Sequence, residues 1–204
     1  MALPLPLRNR LAELILKSLY DPEARSALGA LVDLCADPGR SSAPASSEFA
    51  VALRAEYRRF RDEYCERAVQ AWRVLRQRPL GKPGPDVGEV LGQAADLFDA
   101  HLFFEVHELL EPYWVRAAGA TREALQGLIQ IAVGFQHLVN ANVEGARMLL
   151  EEGRAKVADK HLEGLDLVAF GGAVGRSLAA VVALGQGAAR AFDWARVPPF
   201  PRRG

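Results

Sequence analysis

Cysteine is scarce in this chain: Cys35 and Cys65 are the only two among 204 residues, and they lie far apart in sequence. They have neither the paired spacing of a zinc site nor the density of a disulfide scaffold, so the expectation is two reduced, partly buried thiols. An excess of one charge is also missing. Twenty-five lysines and arginines balance 25 aspartates and glutamates, which leaves no net field to draw the molecule to nucleic acid or an anionic membrane. The N-terminal stretch MALPLPLRNR has prolines in place of an unbroken apolar run, and Leu11–Leu19 is too short and too charged to span a bilayer. No phosphate-cradling glycine loop is visible, and no serine or cysteine nucleophile has a histidine close by in sequence. What these absences leave is an ordinary soluble composition, expected in the cytoplasm, with a small molecule favoured over nucleic acid or a membrane as the partner.

What is present is helical periodicity. Leu11, Leu14, Ile15 and Leu19 predict an amphipathic helix over 8–20. Asp21-Pro22-Glu23 is a restart signal, with a capping aspartate, proline in the first turn and an early acid, and it predicts a second helix through Leu28, Leu31, Val32 and Cys35. RSSAPASS over 40–47 reads as a flexible link. From 48 to 77 apolar residues recur at steps of four and three, from Phe49 to Leu75, opposite an arginine face. This predicts one long helix of roughly 45 Å. RPLGKPGP over 78–85 breaks it, and Asp86 with Glu89 forms a capping-box-like start. Local charge is uneven, with nine basic and five acidic residues over 48–82 against eight acidic and two basic over 86–123. Complementary packing of these segments is preferred to an RNA-binding arginine face.

The segment on which the rest turns is Phe98–Trp114, FDAHLFFEVHELLEPYW, read as one helix. At ~100° per residue, Phe98, Leu102, Phe103, Val106, Leu109, Leu110, Tyr113 and Trp114 fall on one apolar arc. His107 and Glu111 sit at its edge and are expected to point inward. His101, Glu105, Glu108 and Pro112 are expected to point outward. Thr121–Asn140 is apolar almost all round, as a central helix is. Its single other stripe is Gln126, Gly127, Gln130, Gly134 and His137, whose glycines permit close approach of another backbone. A link at Ala117–Ala120, with Gly119 as a helix stop, would fold the two helices antiparallel and set Glu111 opposite Gln130, with His107 and His137 within reach. Asn142 is expected to cap a further helix through Leu150 and Val157. A loop over 161–172, a closing helix over 173–192 and a solvated tail from Val197 complete the reading.

These spaced blocks carry a resemblance. His107-Glu108-x-x-Glu111-x-x-Trp114, preceded by Phe103-Phe104-Glu105, followed by Leu125-Gln126-Gly127-Leu128-Ile129-Gln130, by His137 and by Asn142-x-x-Gly145-Ala146-x-x-Leu149-Leu150, resembles the bacterial and archaeal domain-of-unknown-function family numbered 309. The resemblance implies a compact all-helical domain, sometimes labelled a predicted metal-dependent hydrolase. Pro112 within the motif departs from it, because it removes a hydrogen bond to the Glu108 carbonyl.

The expected fold is therefore all-α: a helical bundle around an antiparallel hairpin, in one main domain with an N-terminal helical extension. The segments are 1–45, 46–85 and 86–197. Three functional readings follow for the polar cluster. The first is an internal network of His107, Glu111, Gln130 and His137, since buried ionisable groups need partners. The second is a divalent-metal hydrolase holding zinc, iron or manganese with His107, Glu111 and His137, and Glu108 as candidate general base. The third is a small-ligand pocket of Phe103, Phe104, Trp114 and Phe135 with Gln126, Gln130 and the histidines as polar contacts.

Overall fold

The computed structural model describes residues 3–37 and 55–203. It is all-helical apart from one two-stranded hairpin among these residues. The chain divides into two compact units, Met1–Pro85 and Asp86–Gly204, where the sequence reading had favoured one main domain in three segments.

In the first unit, α1 (Leu5–Lys17), α2 (Pro22–Ala36) and α3 (Arg61–Leu75) pack on one another. Asp21 caps α2 as expected, its side chain accepting from the Glu23 amide at 2.9 Å. Leu11, Ile15, Leu28, Leu31, Tyr64, Ala68 and Leu75 make the core. The long helix expected over 48–77 is corrected within the described residues, because Ala55–Phe60 is a 3-10 turn and regular α-helix starts only at Arg61. Its first positions, like the 40–47 link, lie outside the described residues. The cysteines are corrected as well. Cys35 of α2 and Cys65 of α3 form a disulfide with Cα atoms 5.6 Å apart, a pairing that their separation in sequence had hidden and that helix packing creates.

The second unit contains α4 (Val87–Asp99), α5 (Phe103–Arg116), α6 (Gly119–Val139), α7 (Val143–Val157), a hairpin of β1 (His161–Leu162) and β2 (Leu165–Asp166), α8 (Leu167–Leu184) and the short α9 (Ala188–Ala191). Helix α6 packs against α5 on one side and α7 on another, and α7 packs in turn against α8. The central role expected for α6 is what its sequence dictates: Leu125, Leu128, Ile131, Ala132 and Phe135 are all fully buried. The aromatic centre is Phe98, whose ring meets Phe103 at 5.1 Å, Phe200 at 5.4 Å, and Phe135 and Phe170 at 5.9 Å.

The single helix expected from Phe98 to Trp114 is in fact two. The His101 amide donates to the Phe98 carbonyl at 2.8 Å and the Leu102 amide to the Leu97 carbonyl at 2.9 Å, with His101 at φ 59°. This is a Schellman stop, which glycine usually marks. Here a histidine occupies the left-handed position, so the usual signal is missing. The same device ends α6, where Ala141 (φ 62°) and Asn142 donate to the Leu138 and His137 carbonyls. Gly119 does not stop a helix but begins α6, at φ +56°. Pro112 lies inside α5, which continues through it to Arg116.

The C-terminal third is more ordered than its sequence suggested. The 161–172 stretch holds the hairpin, turned by Glu163-Gly164 with both residues at positive φ. Helix α8 starts at Leu167, capped by Asp166 accepting from the Ala169 amide at 3.0 Å. The expected tail is docked within its unit: Phe200 is buried, its amide donates to Asp99 at 2.8 Å, and Arg202 pairs with Asp96 and Asp99, each at 2.8 Å. By length and composition alone, Leu167–Ala191 could cross a membrane. In the fold, however, Leu167, Phe170, Val174 and Val181 of this stretch are core residues.

Candidate metal centre

Helix α5 carries the candidate site in its middle turns. Residues i and i+4 of a helix share one face, as His107 and Glu111 do, and the Glu108 side chain reaches round from the next position to the His107 ring. The Nδ1 atom of His107 lies 3.1 Å from a Glu108 oxygen, and its Nε2 atom lies 3.9 Å from a Glu111 oxygen. One donor atom from each of the three residues falls within 4.8 Å of the others. Metal bonds of about 2.1 Å set tetrahedral donors roughly 3.4 Å apart, and a cation takes one ring nitrogen only, so the two carboxylates, which approach opposite nitrogens of His107, would swing to the same side of the ring. Exposed long side chains can do so at little cost.

Their exposure overturns the inward arrangement. His107 is 27% exposed, Glu108 37% and Glu111 48%. The acid that is buried is Glu105, at 0%, which had been expected outside. The break at His101 explains the error. A wheel drawn without interruption from Phe98 carries the phase of α4 into α5, whereas the first turn of α5 is enclosed all round, with Phe103, Phe104, Glu105 and Val106 each buried. A carboxylate there also benefits from the positive end of the helix, and Glu105 is engaged with a partner.

The remaining predicted site residues are distributed differently. Gln130 donates from Nε2 to Glu152 of α7 at 2.6 Å, and the His137 ring meets the Asn142 side-chain amide at 2.9 Å. Asn142 in turn accepts from the Gly145 amide, the cap that the sequence had indicated for α7. The polar stripe of α6 therefore faces α7 rather than the site helix. The glycines explain this choice. A Cβ on Gly127 would meet the Gly153 carbonyl oxygen at 2.9 Å, and one on Gly153 would meet the Gly127 carbonyl oxygen at 2.8 Å. Close backbone approach occurs as expected, but with α7 as the partner. His137 is not part of the His107 group, and Gln126 is half-buried on the same helix.

Phe103 and Phe135 are fully buried core residues stacked at 5.4 Å, and Phe104 is buried beside His107. Trp114 has a hairpin role. The Arg122 guanidinium lies 4.4 Å from its ring centroid and donates to the Trp114 and Val115 carbonyls at 2.9 and 3.1 Å. A cation thereby satisfies the open carbonyl end of α5 and ties it to α6. The Trp114 Nε1 and Gln130 Oε1 atoms are buried without hydrogen-bond partners among the described residues. His101, which the sequence reading had set in solvent, is half-buried and stacks on Phe103 at 5.4 Å. Burial lowers its pKa from the ordinary 6.5, and Asp99 partly opposes that shift.

The fold and site together define an all-helical unit with a His/Glu cluster on the first helix of an antiparallel hairpin. A family model described as Domain of unknown function (DUF309) matches residues 91–149, so the resemblance visible in the sequence is borne out over that stretch. The match runs from α4 into α7 and includes His107, Glu108 and Glu111. No curated protein and no solved structure matches the chain.

Proposed function

We propose that His107, Glu108 and Glu111 bind a divalent transition metal, and that the protein is a metal-dependent hydrolase of a small substrate. The observation that carries this reading is the convergence of the three donors within 4.8 Å on one half-exposed helix edge. One imidazole and two carboxylates suit zinc, iron or manganese. Three protein donors would leave coordination positions to water, and a bound metal of this kind supplies an activated water at neutral pH. The donor set differs from the earlier one, with Glu108 replacing His137. Glu108 then serves as a ligand, so it is not free to act as the general base of a zinc-protease helix. Solvent exposure argues against an internal network as the purpose of the cluster, since exposed carboxylates need no buried partner.

Elemental analysis and zinc or manganese titration of the full chain test the proposal. Wild type is expected to bind one equivalent, and His107→Ala or the pair Glu108→Gln with Glu111→Gln to weaken binding at least tenfold. Equal metal content in wild type and His107→Ala would remove the site. Given metal binding, hydrolysis of p-nitrophenyl acetate or bis(p-nitrophenyl) phosphate by the loaded wild type, absent in the variants, tests the chemistry.

A further inference from the structure

A second feature lies outside the family-matched stretch. One face of α8, formed by Ala169, Phe170, Ala173, Arg176 and Ser177, and the terminal segment Ala195–Arg202 enclose a groove of about 720 Å³. The terminal segment is tied at both ends. Ser177 Oγ donates to the Arg196 carbonyl at 2.6 Å, and the Phe200 amide and Arg202 guanidinium bind Asp99. Between these ties, Val197-Pro198-Pro199 forms a strap. Proline lacks an N–H, so the strap offers almost no backbone donors and presents apolar rings and carbonyls instead. Phe170 and Phe200, packed at 5.6 Å, are buried at the base.

The charges of the groove are unequal in what they have left to bind. Arg202 is taken by Asp96 and Asp99, and one oxygen of Asp166 accepts from the Ala169 amide as the cap of α8. Arg196 has only a 3.9 Å approach to Asp193. Arg176 has no hydrogen bond or ion pair among the described residues. A cavity of this size with largely apolar walls and a few polar groups, of which Arg176 alone is without a partner among the described residues, has the constitution of a small-molecule site. An unpaired guanidinium selects a planar anion, which it can hold through two parallel N–H donors.

The geometry points to a binding site for a monocarboxylate with an apolar acyl body, its chain along Ala169, Phe170, Ala173 and the proline strap, its head group on Arg176. The site is independent of the His107 cluster, so either assignment stands if the other fails. Charge complementarity decides the occupant: apolar walls alone would accept any greasy molecule, whereas Arg176 favours an anion over a cation of equal length.

Isothermal titration of the full chain with sodium decanoate tests this. Wild type is expected to bind in a single saturable step. Arg176→Gln, at an exposed position where folding is undisturbed, is expected to weaken binding at least tenfold. Ala173→Trp, which fills the groove, is expected to abolish it with the circular dichroism spectrum unchanged. Decyltrimethylammonium, with the same chain and the opposite charge, is expected not to saturate. Absence of saturable decanoate binding, undiminished binding by Arg176→Gln, or equal binding of the cationic analogue each overturns the assignment.

Discussion

In the N-terminal unit the helices are held apart by large side chains and tied covalently; in the C-terminal unit α6 and α7 meet backbone to backbone. Tyr64, Leu11, Ile15, Leu28 and Leu75 fill the first core, and Trp72 lies against Gly29, whose Cβ would stand 3.0 Å from its ring. The three helices described there are tied by a disulfide, which stabilises by constraining the unfolded chain. The second unit has an aromatic centre, and at Gly127, Gly134 and Gly153 it gives up side-chain volume for proximity. One helical class thus reaches stability by two routes, one acting mainly on the unfolded state and one on the folded state.

The largest effect is expected from removing the covalent tie. Cys35 and Cys65 are 30 residues apart, and closing a loop of that length is worth about 2–4 kcal/mol. The variant with both Cys35→Ser and Cys65→Ser should lose that much in urea unfolding, with amide exchange accelerated in α1–α3. Unchanged unfolding on replacement or on reduction would show that the first unit needs no tie. A disulfide persists in oxidising surroundings, so this bond withdraws the inference from sparse cysteine to reduced thiols.

Next comes the seam. Gly153→Ala sets a methyl group 2.8 Å from the Gly127 carbonyl oxygen and 2.9 Å from the Ile131 amide nitrogen. Both are backbone atoms, so the helices must separate. Overpacking of this kind costs about 1–3 kcal/mol, more than the gain in helix propensity from replacing glycine. A rise in stability on thermal unfolding would mean that the seam is looser than these distances. Gly92→Ala, where nothing lies within 4 Å of the added atom, is the control and should stabilise slightly.

How much of this was legible follows from where each signal is stored. Caps are local, so Asp21, Asp86 and Asn142 announce their helices through side chains that accept from amides two or three residues on. The central helix was legible because its apolar residues surround it. Which helix would receive its glycine stripe was not, since Gly127 specifies close approach but not the partner; Gly153 and Leu150 supply that from α7. The stops at His101 and Ala141 were hidden because neither is a glycine, and the missed stop misplaced Glu105. The docking of Phe200 on Asp99 joins residues 101 positions apart, a separation at which no periodicity speaks. The pairing of His107 with Glu111 was legible because i, i+4 spacing survives any error of phase; the third member was taken to be His137, which faces α7, and the depth was misjudged because depth depends on phase.

The smallest expected effects concern that depth. The inward reading required Glu111→Ala to orphan buried partners and cost a few kcal/mol, with Glu108→Ala silent. The observed exposures, 48% for Glu111 and 37% for Glu108, make the two alike. Surface substitutions away from caps and tight packing stay within about 0.5 kcal/mol, and the His107–Glu111 approach of 3.9 Å is a half-exposed pair of the kind that contributes little. Thermal unfolding of both variants without added metal should therefore coincide with wild type. Added zinc should separate them, because a ligand that binds only the folded state raises stability by RT ln(1 + [L]/Kd), and each variant lacks one of the three donors. A large loss for Glu111→Ala without metal would restore the buried network. Coincident curves with zinc present would leave the cluster as a solvated helix edge.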